Sequence, residues 1–595
     1  MYNRNMASET RICQNCKSDF IIEPEDFNFY EKIKVPPPTF CPECRKQRRL
    51  TWRNDIILYS RSCDLCEKSI LSIYSPDSGL TVYCVKCWWS DKWDPKEYGK
   101  DYDFSKPFFE QFRELQQRVP IIALANDDGL ISGSINCEYT QDFSNAKNCY
   151  MVFVAWKLED SLYSHYILDS RGMVDCLSSW DNSDSVYEGI FAERCYHCRY
   201  VYYSVALSDC AFCLDCRDSS NCFMCTGLRH KQYCFKNRQY TKEEYKKIFE
   251  EYRLDTFSGV ERAKKEFEGM LYLKPRKFAN LRNCTNSIGD YLSNCKNIRD
   301  GFVLQRVEDC RWVESSDAPK SSYDLSTGGE LEQCYEGITP DHSYQSRFAI
   351  FSWKNRDVFY VDGVHSSTNV FGCCGLKKAQ YCILNKQYSK EEYDEMLPKI
   401  QVHMAQVPYM DKNGVAYRFG EFFPAELSYF GYNESVAQDH FLLTEQEARK
   451  RNFNWRGKLQ MTVGKETMQT DEIPDGIADI NDTILNEILM CIECKRNYRI
   501  VSQELQFYRK LAIPLPRRCF YCRHRTRVNF RNPFKLWHRA CHCAGEKSEN
   551  GVYANTGTHP SHPKGEPCPN EFETSYAPER PEIVYCEQCY NAEIA

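Results

Sequence analysis

One cysteine frame occurs near both ends of this chain and stays in register for about fifty residues. Cys13, Cys16, Cys41 and Cys44 become Cys491, Cys494, Cys519 and Cys522 on moving 478 positions along. The same shift carries Phe29-Tyr30 to Phe507-Tyr508, Pro36 to Pro514, Arg45 to Arg523, Arg53-Asn54 to Arg531-Asn532 and Cys63 to Cys541. Paired C-x2-C knuckles are the spacing that a tetrahedral ion with four thiolate ligands demands. A fold containing them must bring two distant knuckles together twice.

Each copy carries a second frame. In the first, Cys63 and Cys66 precede Cys84 and Cys87. In the last, Cys568, Cys586 and Cys589 match Cys66, Cys84 and Cys87 at a shift of 502, so 24 residues are inserted after Cys541. The fourth ligand of that set is Cys541 by register, with Cys543 as a competitor and His559 and His562 as substitutes within the insert. Sequential pairing of the knuckles and a cross-brace both satisfy the spacing. About four zinc ions are expected, and all-thiolate sets are closed structural sites rather than catalytic ones with an open position.

After the first knuckle, Phe20, Ile21, Ile22, Phe27, Phe29 and Tyr30 read as a β-hairpin. CPECRKQRRLTW then lacks breakers and reads as a helix whose N-terminus holds the second pair, where the helix dipole favours thiolate. CQNCKSDF, EDFNFYEK and PPPTFCPECRKQRR, and again CIECKRNYRI, LQFYRK and IPLPRRCFYCRHRTR, resemble the zinc-ribbon (treble-clef) family of uncharacterised bacterial proteins. The whole layout is similar to large multi-zinc-ribbon proteins of uncultivated small-genome bacteria. The resemblance implies treble-clef modules at both ends.

The 35 cysteines fall as eight before residue 90, eighteen between Cys137 and Cys382, and nine from Cys491 onward. The opening MYNRNMASETRIC has no apolar core of a signal peptide, and no run of about 18 apolar residues occurs, so the expectation is a reducing cytoplasm and no membrane insertion. A net charge of -6 restricts any nucleic-acid contact to local patches. The candidate patches follow each first site: Arg45, Lys46, Arg48, Arg49 and Arg53 beside Trp52, and Arg523, Arg525, Arg527 and Arg531 beside Phe530. Guanidiniums with an aromatic suit phosphates and stacked bases; the alternative is a solvated or protein-facing helix surface.

Between the modules lies a second repeat. NCFMCTGLRHKQYCFKNRQYTKEEY at Asn221 recurs as NVFGCCGLKKAQYCILNKQYSKEEY at Asn369, 148 positions on, each ending in a capping box before a helix. Upstream, Asn or Asp precedes Cys or Ser at intervals near 12, as in Asn136-Cys137, Asn148-Cys149, Asp175-Cys176 and Asp309-Cys310. Such short rungs fit a parallel β-solenoid with small residues inside and Asn or Asp at the turns. Cys195, Cys198, Cys210, Cys213, Cys216, Cys222 and Cys225 then read as core thiols, and Cys373-Cys374 as structural rather than redox-active.

The expected fold is mainly β with small α+β parts: two treble-clef/zinc-ribbon modules flanking two parallel β-solenoid arrays capped by helices. Its segments are a double zinc module at 8–100, a helical connector at 101–130, arrays with capping helices at 131–255 and 256–400, an aromatic bridge and polar linker at 401–485, and a second double zinc module at 486–595. The expected function is a non-enzymatic zinc-binding scaffold for a macromolecular partner, RNA or the ribosome or a protein. Two alternatives stand beside it: an enzyme using a solenoid groove, with Asp169, Asp175, Asp181 and Asp184 as candidate carboxylates, and a thiol redox or zinc-storage protein. No G-x-S-x-G, H-E-x-x-H or P-loop motif supports an enzyme.

Overall fold

The computed structural model describes residues 7–125, 133–329, 332–457, 459–543 and 566–594, and the chain is mainly β. It divides into two compact units, one built from residues 1–128 with 280–459 and the other from 129–279 with 460–595. Each terminal module therefore shares a unit with the array more distant from it in sequence. The helix Phe257–Leu271, expected to open the second array, belongs instead with the first.

Both arrays are parallel ladders in which a residue mostly pairs with the one 12 ahead, the first turn of the second array pairing at 11 up to a register shift between Ser287 and Gly289. Phe153 faces His165, Tyr196 faces Ser208 and Ser220 faces Gln232; Tyr344 faces Arg356 and Thr368 faces Gln380. The local cause is a left-handed residue at every third position: Asp142, Asn145, Asn148, Met151, Val154, Lys157 and Asp160 all have positive φ. The residue after each is turned inward, so Ala146, Cys149, Val152, Ala155 and Leu158 are buried together. Left-handed backbone costs an L-residue roughly 1–2 kcal/mol and is tolerated best by Asn and Asp. That preference explains why Asn or Asp so often precedes Cys or Ser. Their side chains also stack along the ladder, the Asn136 amide donating to Asn148 and Asn148 to Asp160, each at 2.9 Å.

One turn of the first array is longer. Asp181 and Asn182 are both left-handed, and the pairing offset rises to 13 where Arg171 faces Asp184. Positions before this point are consequently related to the second array by 149 residues rather than 148.

Each array ends in the same device. Asn237 and Asn385, left-handed in tight hairpins, offer their side-chain amides to the backbone of the rung behind them. Asn237 accepts from Thr226 N–H at 2.8 Å and donates to Thr226 O; Asn385 accepts from Cys374 N–H at 2.9 Å and donates to Cys374 O. The capping boxes at Thr241/Glu244 and Ser389/Glu392 then start the helices Lys242–Glu251 and Lys390–Gln406. These lie on the last rungs through Tyr245 on Tyr233 and Tyr393 on Tyr381.

Two expected elements differ. The hairpin of the first knuckle is Glu9–Ile12 with Asp19–Ile22, and Phe27, Phe29 and Tyr30 lie in the helix Pro24–Lys32. Pro24 at its first turn and the Asp26 carboxylate, which accepts from Glu23 N–H at 3.0 Å, start that helix, and Asp26, Phe29, Tyr30 and Ile33 form its buried face. The supposed polar linker of 457–485 carries buried Ile473, Ile477, Ile480 and Ile484. It joins the Phe257 helix through Phe257 N–H to Asp475 O at 2.9 Å and Ser258 N–H to the Asp475 carboxylate at 2.9 Å.

Candidate metal centres and the arginine clamps

The described residues contain four tetrathiol groups that could hold a metal ion: Cys13, Cys16, Cys41 and Cys44; Cys63, Cys66, Cys84 and Cys87; Cys491, Cys494, Cys519 and Cys522; and Cys541, Cys568, Cys586 and Cys589. Within each group the sulfur atoms lie within 4.8 Å of one another. The knuckles pair sequentially, not as a cross-brace.

The first three knuckles close in one way, the first cysteine N–H bonding the carbonyl five residues on: Cys13 to Ser18, Cys63 to Lys68 and Cys491 to Arg496, each at 2.9 Å. A left-handed Lys17, Glu67 or Lys495 makes the turn. In the fourth, Cys541 N–H bonds Asn570 O at 2.8 Å, the equivalent atom on the far side of the insertion. The match continues through Cys84 N–H to Cys63 Sγ and Cys586 N–H to Cys541 Sγ, both at 3.2 Å. Cys541 thus completes the fourth tetrathiol group. Cys543 is buried beside the group but outside it, and its carbonyl accepts from Cys568 N–H at 3.0 Å. His559 and His562 lie outside the described residues.

The second pair of each set sits at a helix start. Cys41 caps Pro42–Leu50, Cys84 caps Val85–Trp88, Cys519 caps Phe520–Phe530, and Cys586 immediately precedes Glu587–Ile594. Burial pushes the Cys63 and Cys491 thiols up, but surrounding backbone N–H groups outweigh it and hold both down to about 7. A set of four thiols this close, with donors around it, fits a closed metal site and leaves no carboxylate or imidazole to open it.

The arginines expected to form basic faces point the other way. Arg45, Arg48, Arg49, Arg53, Arg523 and Arg527 are buried. Arg45 and Arg49 converge on the buried carboxylate of Asp324, at 2.9 and 3.4 Å. In the other unit Arg523 and Arg527 converge on Asp175, at 3.3 and 2.9 Å. Arg45 also lies over the Trp312 ring at 4.6 Å and Arg523 over Tyr163 at 4.7 Å. Every partner corresponds under the 478 and 149 shifts, so one clamp, module helix onto array, is built twice.

Its neighbours vary together. Arg48 pairs with Glu336 and Glu421, and Arg527 reaches the equivalent Glu188 at 3.5 Å. Lys46 pairs with Glu314 at 2.6 Å; their equivalents are His524 and His165, whose rings meet edge to face at 5.3 Å. Arg53 is held by Asp55, and Arg531 is partly exposed over Phe534 at 4.2 Å. Arg525 is exposed. The i, i+4 spacing of Arg45 with Arg49, and of Arg523 with Arg527, put each pair on the face carrying Trp52 or Phe530. With an aspartate available in a left-handed turn position, that was a sequence signal for burial.

The remaining candidates are spoken for. Asp169 pairs with Lys157 at 3.3 Å and Asp184 accepts from Ser185, so these carboxylates do not converge with Asp175. Cys373 and Cys374 belong to different packed clusters. Central thiols donate to backbone carbonyls, Cys213 to Cys222 O at 3.5 Å and Cys225 to Cys234 O at 3.5 Å. Protein-family models and curated proteins give no match to this chain.

Proposed function

We propose that the protein is a non-enzymatic zinc scaffold: two β-solenoids, each clasped by a double zinc module, that present a composite surface to a macromolecular partner. The observation that carries this reading is the duplicated clamp, Arg45 and Arg49 on Asp324 and Arg523 and Arg527 on Asp175. It uses the conspicuous charges to hold module to array rather than to hold a ligand. Zinc is the ion that closed tetrathiolate sites of this spacing favour. With most of the basic residues turned inward, the partner is a protein rather than RNA or the ribosome.

In this reading the first ion of each module orients the helix that delivers the clamp, because Cys41 and Cys44, or Cys519 and Cys522, lie at the start of the arginine helix. Removing metal should free the helices and expose both arrays. The test is limited proteolysis with and without a strong chelator. New cleavage within 8–125 and 486–594 on chelation is expected, with protection restored by zinc; an unchanged pattern after complete metal removal would overturn the reading.

A further inference from the structure

A cavity of about 360 Å³ in the second unit is lined by Phe212, Phe530, Arg517, Thr526, Arg527 and Glu188, with the helix Phe257–Leu271 along one side. The duplication identifies what occupies the corresponding place in the other unit. There the carboxylate of Glu421 receives Arg48 Nη1 and Thr39 N–H, both at 2.9 Å, and the Thr39 hydroxyl. Gly420 N–H donates to Tyr360 Oη at 2.9 Å. The Phe423 ring lies 5.5 Å from Trp52 and 5.8 Å from Tyr360. The equivalents of Thr39, Arg48, Trp52 and Tyr360 are Arg517, Thr526, Phe530 and Phe212, and all four line the cavity.

The threonine and arginine have exchanged places, so a cation is retained while the glutamate is not. Phe267 stands 5.7 Å from Phe212, taking one ring position, and among the described residues no carboxylate binds Arg517 as Glu421 binds Arg48. Arg517 is buried; its Nη2 donates to Ile473 O and Pro474 O at 2.8 and 2.9 Å, whereas Nη1 has no hydrogen-bond partner among the described residues. The acidic groups of the lining are partly committed, Glu188 to Arg527 at 3.5 Å and Glu261 to Lys264 at 3.2 Å, and Glu268 and Lys265 also line the cavity.

We propose that this cavity docks an extended peptide of a partner protein in which a glutamate precedes aromatic residues, the chemistry that Gly420-Glu421-Phe422-Phe423 supplies within the first unit. The inference rests on the scaffold reading and names its class of partner. A buried guanidinium and aromatic walls are the features that anchor such segments. The probe is a fluorescent peptide copying residues 418–425, titrated into the metal-loaded full-length protein with anisotropy as readout.

Saturable binding at one site is expected. Arg517→Gln in the protein, or Glu421→Gln in the peptide, should each weaken it about tenfold or more. Thr526→Trp, which fills the cavity, should abolish it. No saturable binding to protein that carries four ions would overturn the inference while leaving the scaffold reading intact. Equal binding by Arg517→Gln and Thr526→Trp, or equal affinity for 3-phenylpropionate alone, would also overturn it.

Discussion

Asp324 has no exposed surface and faces two guanidiniums. Removing one partner of a buried ionic cluster leaves an uncompensated charge and typically costs about 3–5 kcal/mol. Asp324→Ala and, in the other unit, Asp175→Ala should destabilise by amounts of that order in denaturant unfolding. A loss below about 1 kcal/mol for both would show that the clamp contributes little. A second buried carboxylate makes a pH prediction. Burial raises Asp362 to about 6, against the opposing hydrogen bonds from Tyr429 and Gln116. The folded state therefore holds this proton more tightly than the unfolded chain, so the contribution is full below about pH 4 and is lost as pH rises through about 6. Asp362→Asn should remove that slope, which amounts to about 3 kcal/mol at most; the stability difference between variant and parent at pH 4 and pH 7 measures it. The burial of the clamp was only faintly legible in the sequence, because a surface arginine and a clamped one are the same letter. Only the i, i+4 pairing of Arg45 with Arg49 and its repetition in Arg523 and Arg527 hinted at it.

At the scale of elements, the metal frames were the most readable part, since ligand spacing is dictated by coordination geometry and not by context. Three knuckles follow one hydrogen-bond pattern, and the fourth keeps it across an insertion because Cys541 N–H still finds Asn570 O. Cys541→Ser should therefore lower the metal content of the protein by one ion, whereas Cys543→Ser should leave it unchanged. Equal loss in both variants would contradict the ligand assignment. The arrays were readable in period but not in conformation. Asn and Asp before Cys or Ser marked the turns, yet Val154 and Tyr163 are also left-handed, which no propensity anticipates; the ladder imposes that geometry on them. The hairpin expected at Phe27–Tyr30 failed for the opposite reason. Aromatic β-propensity lost to a proline, the Asp26 carboxylate on Glu23 N–H and a helical spacing of buried residues. The caps at Thr241 and Ser389 held because a reciprocal pair of hydrogen bonds needs only local sequence.

For the whole molecule, duplication in sequence becomes duplication in space by exchange: each module sits with the array that is remote from it along the chain. Consecutive segmentation at 256 and 485 could not anticipate this, since no local signal says which of two similar arrays a module will choose. The choice is written in matched positions, Lys46 with Glu314 in one unit and His524 with His165 in the other. Four tetrathiol groups then lie in two equivalent clasps, and sixteen of the eighteen central cysteines are buried. The most direct measurement is elemental analysis with native mass spectrometry of the full-length protein purified under reducing, chelator-free conditions. Four zinc ions per chain are expected. Two or fewer would contradict the double-site modules, and a count well above four would contradict the assignment of the central cysteines to the core.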